Sequence, residues 1–383
     1  MTASSKPRRA PLPVPVTVVT GFLGAGKTSL LNRLLRDPAL AKSVVLINEF
    51  GEIGLDHLFV EKIDGDMVTM ASGCLCCTIR GDLIDSLEDL LRRRDNSRMR
   101  DFDRVIIETT GLADPAPVLH TIMSHPYLLL RFRLDGVVTV VDAVNGAATL
   151  DAFPEAVKQA AVADRLVLTK TDLIGSEPRR RELARLLDRL ARLNPTARLL
   201  DHAETWDAAH LLDAGLYNPA TKAPDVARWL NAEALIEPDH GHGHGHSHDA
   251  GVDGNRHDES IRSFCLVSET PLPLSACDLF LEMLRGAHGP NLLRVKGVIA
   301  LADDAQRPLV IHGVQHVFHP PVRLDAWPDS DHRTRIVFIV KDLHPLLIEG
   351  LYAAFAGQVR VDAPDAQALA RNPLNPRLGG LLG

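Results

Sequence analysis

One octapeptide constrains this chain more than any other stretch: G-F-L-G-A-G-K-T, residues 21–28. It fits the pattern G-x-x-x-x-G-K-[ST], and it occurs once. It lies between V-T-V-V-T (16–20), which reads as a strand, and K-T-S-L-L-N-R-L-L (27–35), which reads as a helix. A glycine loop in that setting folds tightly enough for its N–H groups to face phosphate oxygens, and the following helix adds its positive end. Gly21, Gly24, Ala25, Gly26, Lys27, Thr28 and Ser29 are the nucleotide-binding candidates. Lys27 reaches the β- and γ-phosphates and so counts as catalytic too, while the Thr28 hydroxyl suits Mg²⁺. The bland alternative is a glycine turn with a surface lysine.

The rest of the first half agrees with such a loop. Short β-branched runs at 43–48, 104–108, 137–142 and 165–169 read as strands, and amphipathic stretches at 83–93 and 182–193 read as helices. Apolar runs alternating with helices predict an α/β domain, a mostly parallel sheet covered on both faces. Two short helices are expected within 201–235. The chain divides into a tail (1–13), a P-loop domain (14–235), a histidine-rich linker (236–260), a smaller α+β domain (261–360) and a second tail (361–383). In the α+β domain one helix (275–286) is expected among strands at 262–268, 292–301, 308–314 and 335–340.

A P-loop alone does not name the base. The strand R-L-V-L-T ends in Thr169-Lys170-Thr171-Asp172. A carboxylate such as that of Asp172 accepts two parallel hydrogen bonds from the N1–H and N2–H₂ edge of guanine, and Lys170 can lay its stem along the ring. At the carboxyl end of a parallel strand this favours GTP over ATP. R-V-I-I-E-T-T-G (104–111) supplies the hydrolytic candidates. Glu108 serves the Mg²⁺–water network or orients the attacking water, and Gly111 offers its N–H to the γ-phosphate.

Between these segments stands S-G-C-L-C-C-T-I-R-G-D-L (72–83), which holds three of the chain's five cysteines, Cys74, Cys76 and Cys77. Three thiolates are soft ligands for Zn²⁺, Cu⁺ or an iron–sulfur cluster. A closed structural zinc site ordinarily draws four ligands from two separated pairs, and no second pair follows. Cys265 and Cys277 stand alone, as ordinary buried thiols. Redox, structural and exchangeable-metal readings all remain open for the cluster. Glu49, Asp56 and His57, in N-E-F-G-E-I-G-L-D-H (48–57), are candidate further ligands. In D-H-G-H-G-H-G-H-S-H-D (239–249), His240, His242, His244, His246 and His248 alternate with small residues. Imidazoles suit Zn²⁺, Co²⁺ and Ni²⁺. The tract either captures metal, for storage or delivery, or is only a spacer. His312, His316 and His319 read as surface or packing residues.

Composition narrows the classes. A net charge of −7, spread along the chain, gives no argument for a nucleic-acid binder, and no nucleic-acid partner is expected. No run of about 18 apolar residues exists, so no membrane partner is expected. Five cysteines, three clustered, are not a disulfide framework, and a cytoplasmic location fits them.

Taken together, G-F-L-G-A-G-K-T, N-E-F-G-E-I-G-L-D, G-C-L-C-C, E-T-T-G-L-A-D-P and T-K-T-D occur in the order found in one family. From about residue 14 to about 358 the chain resembles the CobW-type P-loop GTPases, proteins similar to zinc metallochaperones and to factors for cobalamin synthesis or nitrile hydratase activation. The resemblance implies a GTPase domain and a C-terminal domain with R-x-K-G, here Arg294-Val295-Lys296-Gly297. It implies metal, zinc foremost, at Cys74, Cys76 and Cys77, with the 48–57 region as a switch. A client metalloprotein is the expected partner, and a homodimer is possible. One position departs from the family pattern. Thr169 stands where that motif commonly has asparagine, which removes an amide that often braces the P-loop.

Overall fold

The computed structural model of the protein describes residues 13–48, 67–70, 78–204, 208–212 and 260–358. Seven strands form the first sheet: β1 (Val14–Gly21), β2 (Ser43–Asn48), β3 (Met67–Met70), β4 (Arg104–Glu108), β5 (Phe132–Asp142), β6 (Arg165–Thr169) and β7 (Arg198–Asp201). Their order is β3-β2-β4-β1-β5-β6-β7, and every pairing is parallel. Parallel neighbours need crossovers. These contain α1 (Lys27–Leu35), α2 (Thr78–Asp95), α3 (Ala116–Ser124), α4 (Pro126–Arg131), α5 (Gly146–Ala152), α6 (Pro154–Val162) and α7 (Glu177–Leu193); α8 (Ala208–Leu211) follows β7.

Strand alternation divides the core between the two faces. Val44, Leu46, Val105 and Ile107 enter one cluster with Leu87 of α2, Leu119 of α3 and Val157 of α6. Val45, Ile47 and Ile106 enter the other with Leu30 and Leu34 of α1 and Leu211 of α8. Both faces are covered, so the strands read as continuous apolar runs. β5 starts five residues before the predicted strand, because the charge in F-R-L-D-G is neutralised inside. Asp135, 1% exposed, accepts a hydrogen bond from Arg104 Nη1 at 2.7 Å.

The second sheet is antiparallel: β8 (Ile261–Ser268), β9 (Leu292–Ile299), β10 (Leu309–Val314), β11 (Val317–Phe318), β12 (Val322–Arg323) and β13 (Thr334–Lys341), in the order β11-β10-β9-β13-β8 with β12 on β10. Two helices cover one face, where one was expected: α9 (Leu274–His288) and α10 (Pro345–Phe355). The second, P-L-L-I-E-G-L-Y-A-A-F, is nearly apolar throughout and shows little polar face to betray a helix. Phe280 and Leu284 of α9 and Ile348 and Tyr352 of α10 pack on Val295, Ile336 and Phe338. Cys277 is buried as expected, but Cys265 is only half-buried.

The opposite face of this sheet lies on the first unit. Ile261, Leu293, Val314 and Ile339 belong to the same core cluster as Val157 and Leu193. At the centre of that junction is an ion cluster. Asp164, at the amino end of β6, accepts the Val137 N–H at 3.0 Å through Oδ2. Its Oδ1 takes Arg294 Nη2 and, at 2.9 Å, Lys296 Nζ, both from β9. Asp164 and Arg294 are each 1% exposed. His312, opposite Lys296 on β10, stacks on His319 with ring centres 5.2 Å apart. Burial first, and Arg294 second, hold His312 well below the ordinary imidazole range, so it packs as a neutral ring.

Candidate functional site

The site is assembled at the carboxyl ends of β1, β4, β5 and β6. β1 delivers the glycine loop, which closes on itself through Ala25 N–H to Phe22 O at 3.1 Å. Gly26 caps α1 at φ +96°, in the left-handed region that a side chain disfavours. The first turn of α1 carries no acidic residue, so its positive end is unopposed. Lys27 Nζ lies over the loop, donating to the carbonyls of Gly21 at 3.0 Å and Phe22 at 3.4 Å. Thr28 is half-buried and Ser29 exposed beside it.

β4 runs parallel to β1 with Glu108 level with Val19, and Glu108 is buried. The chain then turns across the loop. Thr109 N–H bonds Val19 O at 2.9 Å, and Ala113 N–H bonds Thr110 O at 3.1 Å. Gly111 rests directly on the loop backbone: a Cβ there would stand 2.5 Å from Leu23 N and 2.7 Å from Leu23 Cα. From the other side Gln159 Nε2 donates to the carbonyls of Gly111 at 3.1 Å and Ala113 at 3.0 Å.

β6 supplies the third part. The Thr169 hydroxyl lies 2.6 Å from the Ala25 carbonyl, so the threonine braces the P-loop itself. The expected loss of that brace is thereby corrected: a side chain one atom group shorter than asparagine still reaches, because the loop lies close, and a Cβ on Gly26 would stand 3.3 Å from the Thr169 methyl. Lys170, at φ +59°, donates to Gly24 O at 2.8 Å and to Asp142 Oδ2 at 2.7 Å. Asp142 also accepts the N–H groups of Val144 and Asn145. Burial pushes its carboxyl up, but Lys170, Asn145 and these amides outweigh that and hold it below the usual range. Asp172 is exposed, in a 3₁₀ turn (Thr171–Leu173) after β6. Thr171 donates to Asp201 at 2.8 Å, and Arg33 of α1 binds the His202 and Glu204 carbonyls, so the turn after β7 stands next to Asp172.

The fold thus gathers Lys27, Thr28, Glu108, Gly111, Thr169, Lys170 and Asp172 onto one edge. The metal candidates Glu49, Asp56, His57, Cys74, Cys76, Cys77, His240, His242, His244, His246 and His248 lie outside the described residues. Among the described residues no group of three or more His, Cys, Asp or Glu is placed to hold a metal ion, and no helix is long and apolar enough to cross a membrane. Two residues escaped the sequence reading. Asp142 ends the apolar run V-V-T-V-V-D much as Glu108 ends R-V-I-I-E. Gln159 is a lone polar residue in the buried stripe of A-V-K-Q-A-A-V, and that isolation was its only signal.

The profile of the CobW/HypB/UreG nucleotide-binding domain matches residues 15–201, and that of the cobalamin synthesis protein cobW C-terminal domain matches residues 261–356. The zinc chaperone YjiA of Escherichia coli (strain K12) is 33% identical over 347 residues, which is 90% of this chain and 98% of that protein. The chain belongs to the CobW family. Zinc-regulated GTPase metalloprotein activator 1 of Schizosaccharomyces pombe is 36% identical over 214 residues, 54% of this chain and 50% of its own. In fold, this CobW-family chain is similar to the crystal structure of Zn(II)-bound YjiA GTPase from E. coli. The TM-score is 0.64 at 28% identity, over 90% of this chain and 99% of that one.

Proposed function

We propose that the protein is a GTP-hydrolysing metallochaperone that binds zinc, or a similar divalent metal, at Cys74, Cys76 and Cys77 and passes it to a client metalloprotein. The observation that carries this reading is the similarity to the E. coli zinc chaperone over nearly the full length of both chains. The site geometry supports the nucleotide half. The loop amides, the end of α1 and Lys27 form an anion cradle, and the exposed Asp172 carboxylate is free to meet a guanine edge. Thr28, at the start of α1, and the buried Glu108, at the end of β4, are the donor types that hold Mg²⁺. Bound there, Mg²⁺ would neutralise charge between the β- and γ-phosphates. Gly111, against the loop at the γ end, is the group that moves when that phosphate leaves.

Gating follows if the 48–57 segment responds to the γ-phosphate and touches the metal. Coupling of this kind is reciprocal and amounts to about 5–150-fold in affinity. Calorimetry of Zn²⁺ binding to the full chain, once with a non-hydrolysable GTP analogue and once with GDP, should show a difference in that range. Equal zinc affinities in the two states would remove the gating.

The Thr169 brace carries its own prediction. Valine keeps the shape and removes the donor, leaving the Ala25 carbonyl without its 2.6 Å partner. The expected result is GDP binding weakened by about fivefold, the worth of about 1 kcal/mol for one such bond. Titration of wild type and Thr169→Val with GDP measures this; unchanged affinity would show that the hydroxyl does not support the loop.

A further inference from the structure

We infer that Gln159 is a positioning residue for nucleotide hydrolysis: its amide holds the Thr110–Ala113 turn so that Gly111 lies against the P-loop. The inference rests on the reading of the protein as a GTPase and names a part of that machinery which no sequence motif contains.

The geometry is unusual for a core residue. Gln159 is 1% exposed on α6, beside a cavity that Gly24, Asp142 and Lys170 also line. Both of its N–H groups go to the turn, at Gly111 O and Ala113 O. Its Oε1 is buried and has no hydrogen-bond partner among the described residues. The amide orientation is fixed by the two carbonyls, because the reverse would set oxygen against two oxygens. An apolar side chain of the same shape would pack here without a stranded acceptor. What glutamine adds over that alternative is the grip on the turn.

The platform that carries it is rigid. Thr139 Oγ1 donates to the Gln159 carbonyl at 2.7 Å. Asn194 Nδ2 ties the carbonyls of Ala160, Ala161 and Ala163 at 2.9–3.0 Å. Asp164, which follows at once, is anchored by Arg294 and Lys296. On the other side of the turn, Gly111 has no room to approach the loop further. The turn is therefore held between a fixed amide and the phosphate loop, at the place where the γ-phosphate must be sensed. Displacement of a positioned group by about 1 Å is enough to cost up to about 100-fold in rate.

Two isosteric variants of the full chain test this. Gln159→Met removes the donors. Gln159→Glu replaces the amide with a carboxyl that can donate only when protonated, and burial raises its pKa. The charged groups nearby, Asp114 paired with Lys158 and Asp142 paired with Lys170, are common to all three proteins, so each rate is taken relative to wild type at the same pH. Single-turnover GTP hydrolysis should fall about 10–100-fold in Gln159→Met, with GDP affinity within about twofold of wild type. Gln159→Glu should regain rate relative to wild type as pH falls from about 8 to about 6, and Gln159→Met should not. Affinities for a non-hydrolysable GTP analogue should fall against those for GDP in both variants at pH 8. Wild-type rates in both variants would overturn the inference. So would GDP binding lost in step with rate, or a carboxyl variant that does not recover with acid. If wild type itself hydrolyses no GTP, the GTPase reading fails instead. The ratio of analogue to GDP affinity then decides the role of Gln159 alone: an unchanged ratio in Gln159→Met overturns it.

Discussion

Replacing Asp164 by alanine is expected to cost the folded protein about 3–5 kcal/mol, the penalty for stranding buried charge. The carboxylate is the counter-ion common to Arg294 and Lys296, and all three are enclosed at the junction of the two sheets. Removing it leaves two cations without compensation. Arg294 already has Nε and Nη1 buried without hydrogen-bond partners among the described residues. Removing the charges together, in Asp164→Leu with Arg294→Met and Lys296→Met, should recover much of the loss, because apolar groups of similar volume need no counter-ion. Urea unfolding of the three proteins checks this. A single variant within 1 kcal/mol of wild type would show that the cluster holds nothing together.

The pH dependence of this cluster has a definite sign. Burial raises the Asp164 carboxyl, but Arg294 and Lys296 more than reverse that and hold it far below the usual range. Its stabilising share is complete above the unfolded value of about 4 and is lost only as pH falls below that. Lys296 acts at the other end. Burial first, with Arg294 adding, lowers it to about 8 although Asp164 pulls it upward. Between about 8 and about 10.5 the unfolded chain holds the proton and the folded chain does not, so this group's contribution to stability rises with pH. The increment is on the order of 3 kcal/mol. The stability of wild type minus that of Lys296→Met should therefore climb through that window, and a flat difference would refute the assignment.

The site was legible in the sequence where chemistry requires residues close in the chain. The loop at 21–28, the end of β4 and T-K-x-D were each found from a few adjacent letters, because each sits where an apolar run stops. What brings them together is parallel pairing of β1 with β4 and β5, and pairing partners leave no mark on a single sequence. Gln159 was invisible for that reason: its importance lies in a contact 48 residues away. The Arg294–Lys296 pair was visible only as a family pattern. Its partner Asp164 is an ordinary aspartate at a strand start until the second sheet is placed against it. The Thr169 substitution shows the converse. Comparison of letters predicted a lost brace, whereas the hydroxyl reaches the same loop by a shorter route. Helices α5 and α6 were missed because G-A-A-T-L-D-A and P-E-A-V-K-Q-A-A-V are short and alanine-rich, with too few large apolar side chains to show a period.

Gly111→Ala should abolish most hydrolysis while sparing GDP binding. One methyl group decides it. The new Cβ would lie 2.5 Å from Leu23 N, 2.7 Å from Leu23 Cα and 2.7 Å from Leu23 Cδ2. The side-chain carbon can rotate away, but the two backbone atoms are part of the phosphate loop and cannot. The turn must retreat toward Gln159, which shifts the Gly111 and Ala113 carbonyls off the positions where its amide holds them. Loss of about 100-fold or more in single-turnover rate is the expected result. GDP affinity should stay within a few-fold, since the cradle of Lys27, Thr28 and the end of α1 does not depend on Gly111. The zinc affinity difference between the GTP-analogue and GDP states should shrink with it, because the group that reports the γ-phosphate has been pushed off the loop. Gly286→Ala is the control: the same methyl, on helix α9, with nothing within 4 Å of it. In a helix that change favours stability by up to about 1 kcal/mol, so a loss of activity there as well would mean that the assay is reading handling damage. A Gly111→Ala protein that hydrolyses GTP at the wild-type rate would show that this turn can leave the loop freely. The γ-phosphate would then have to be sensed elsewhere.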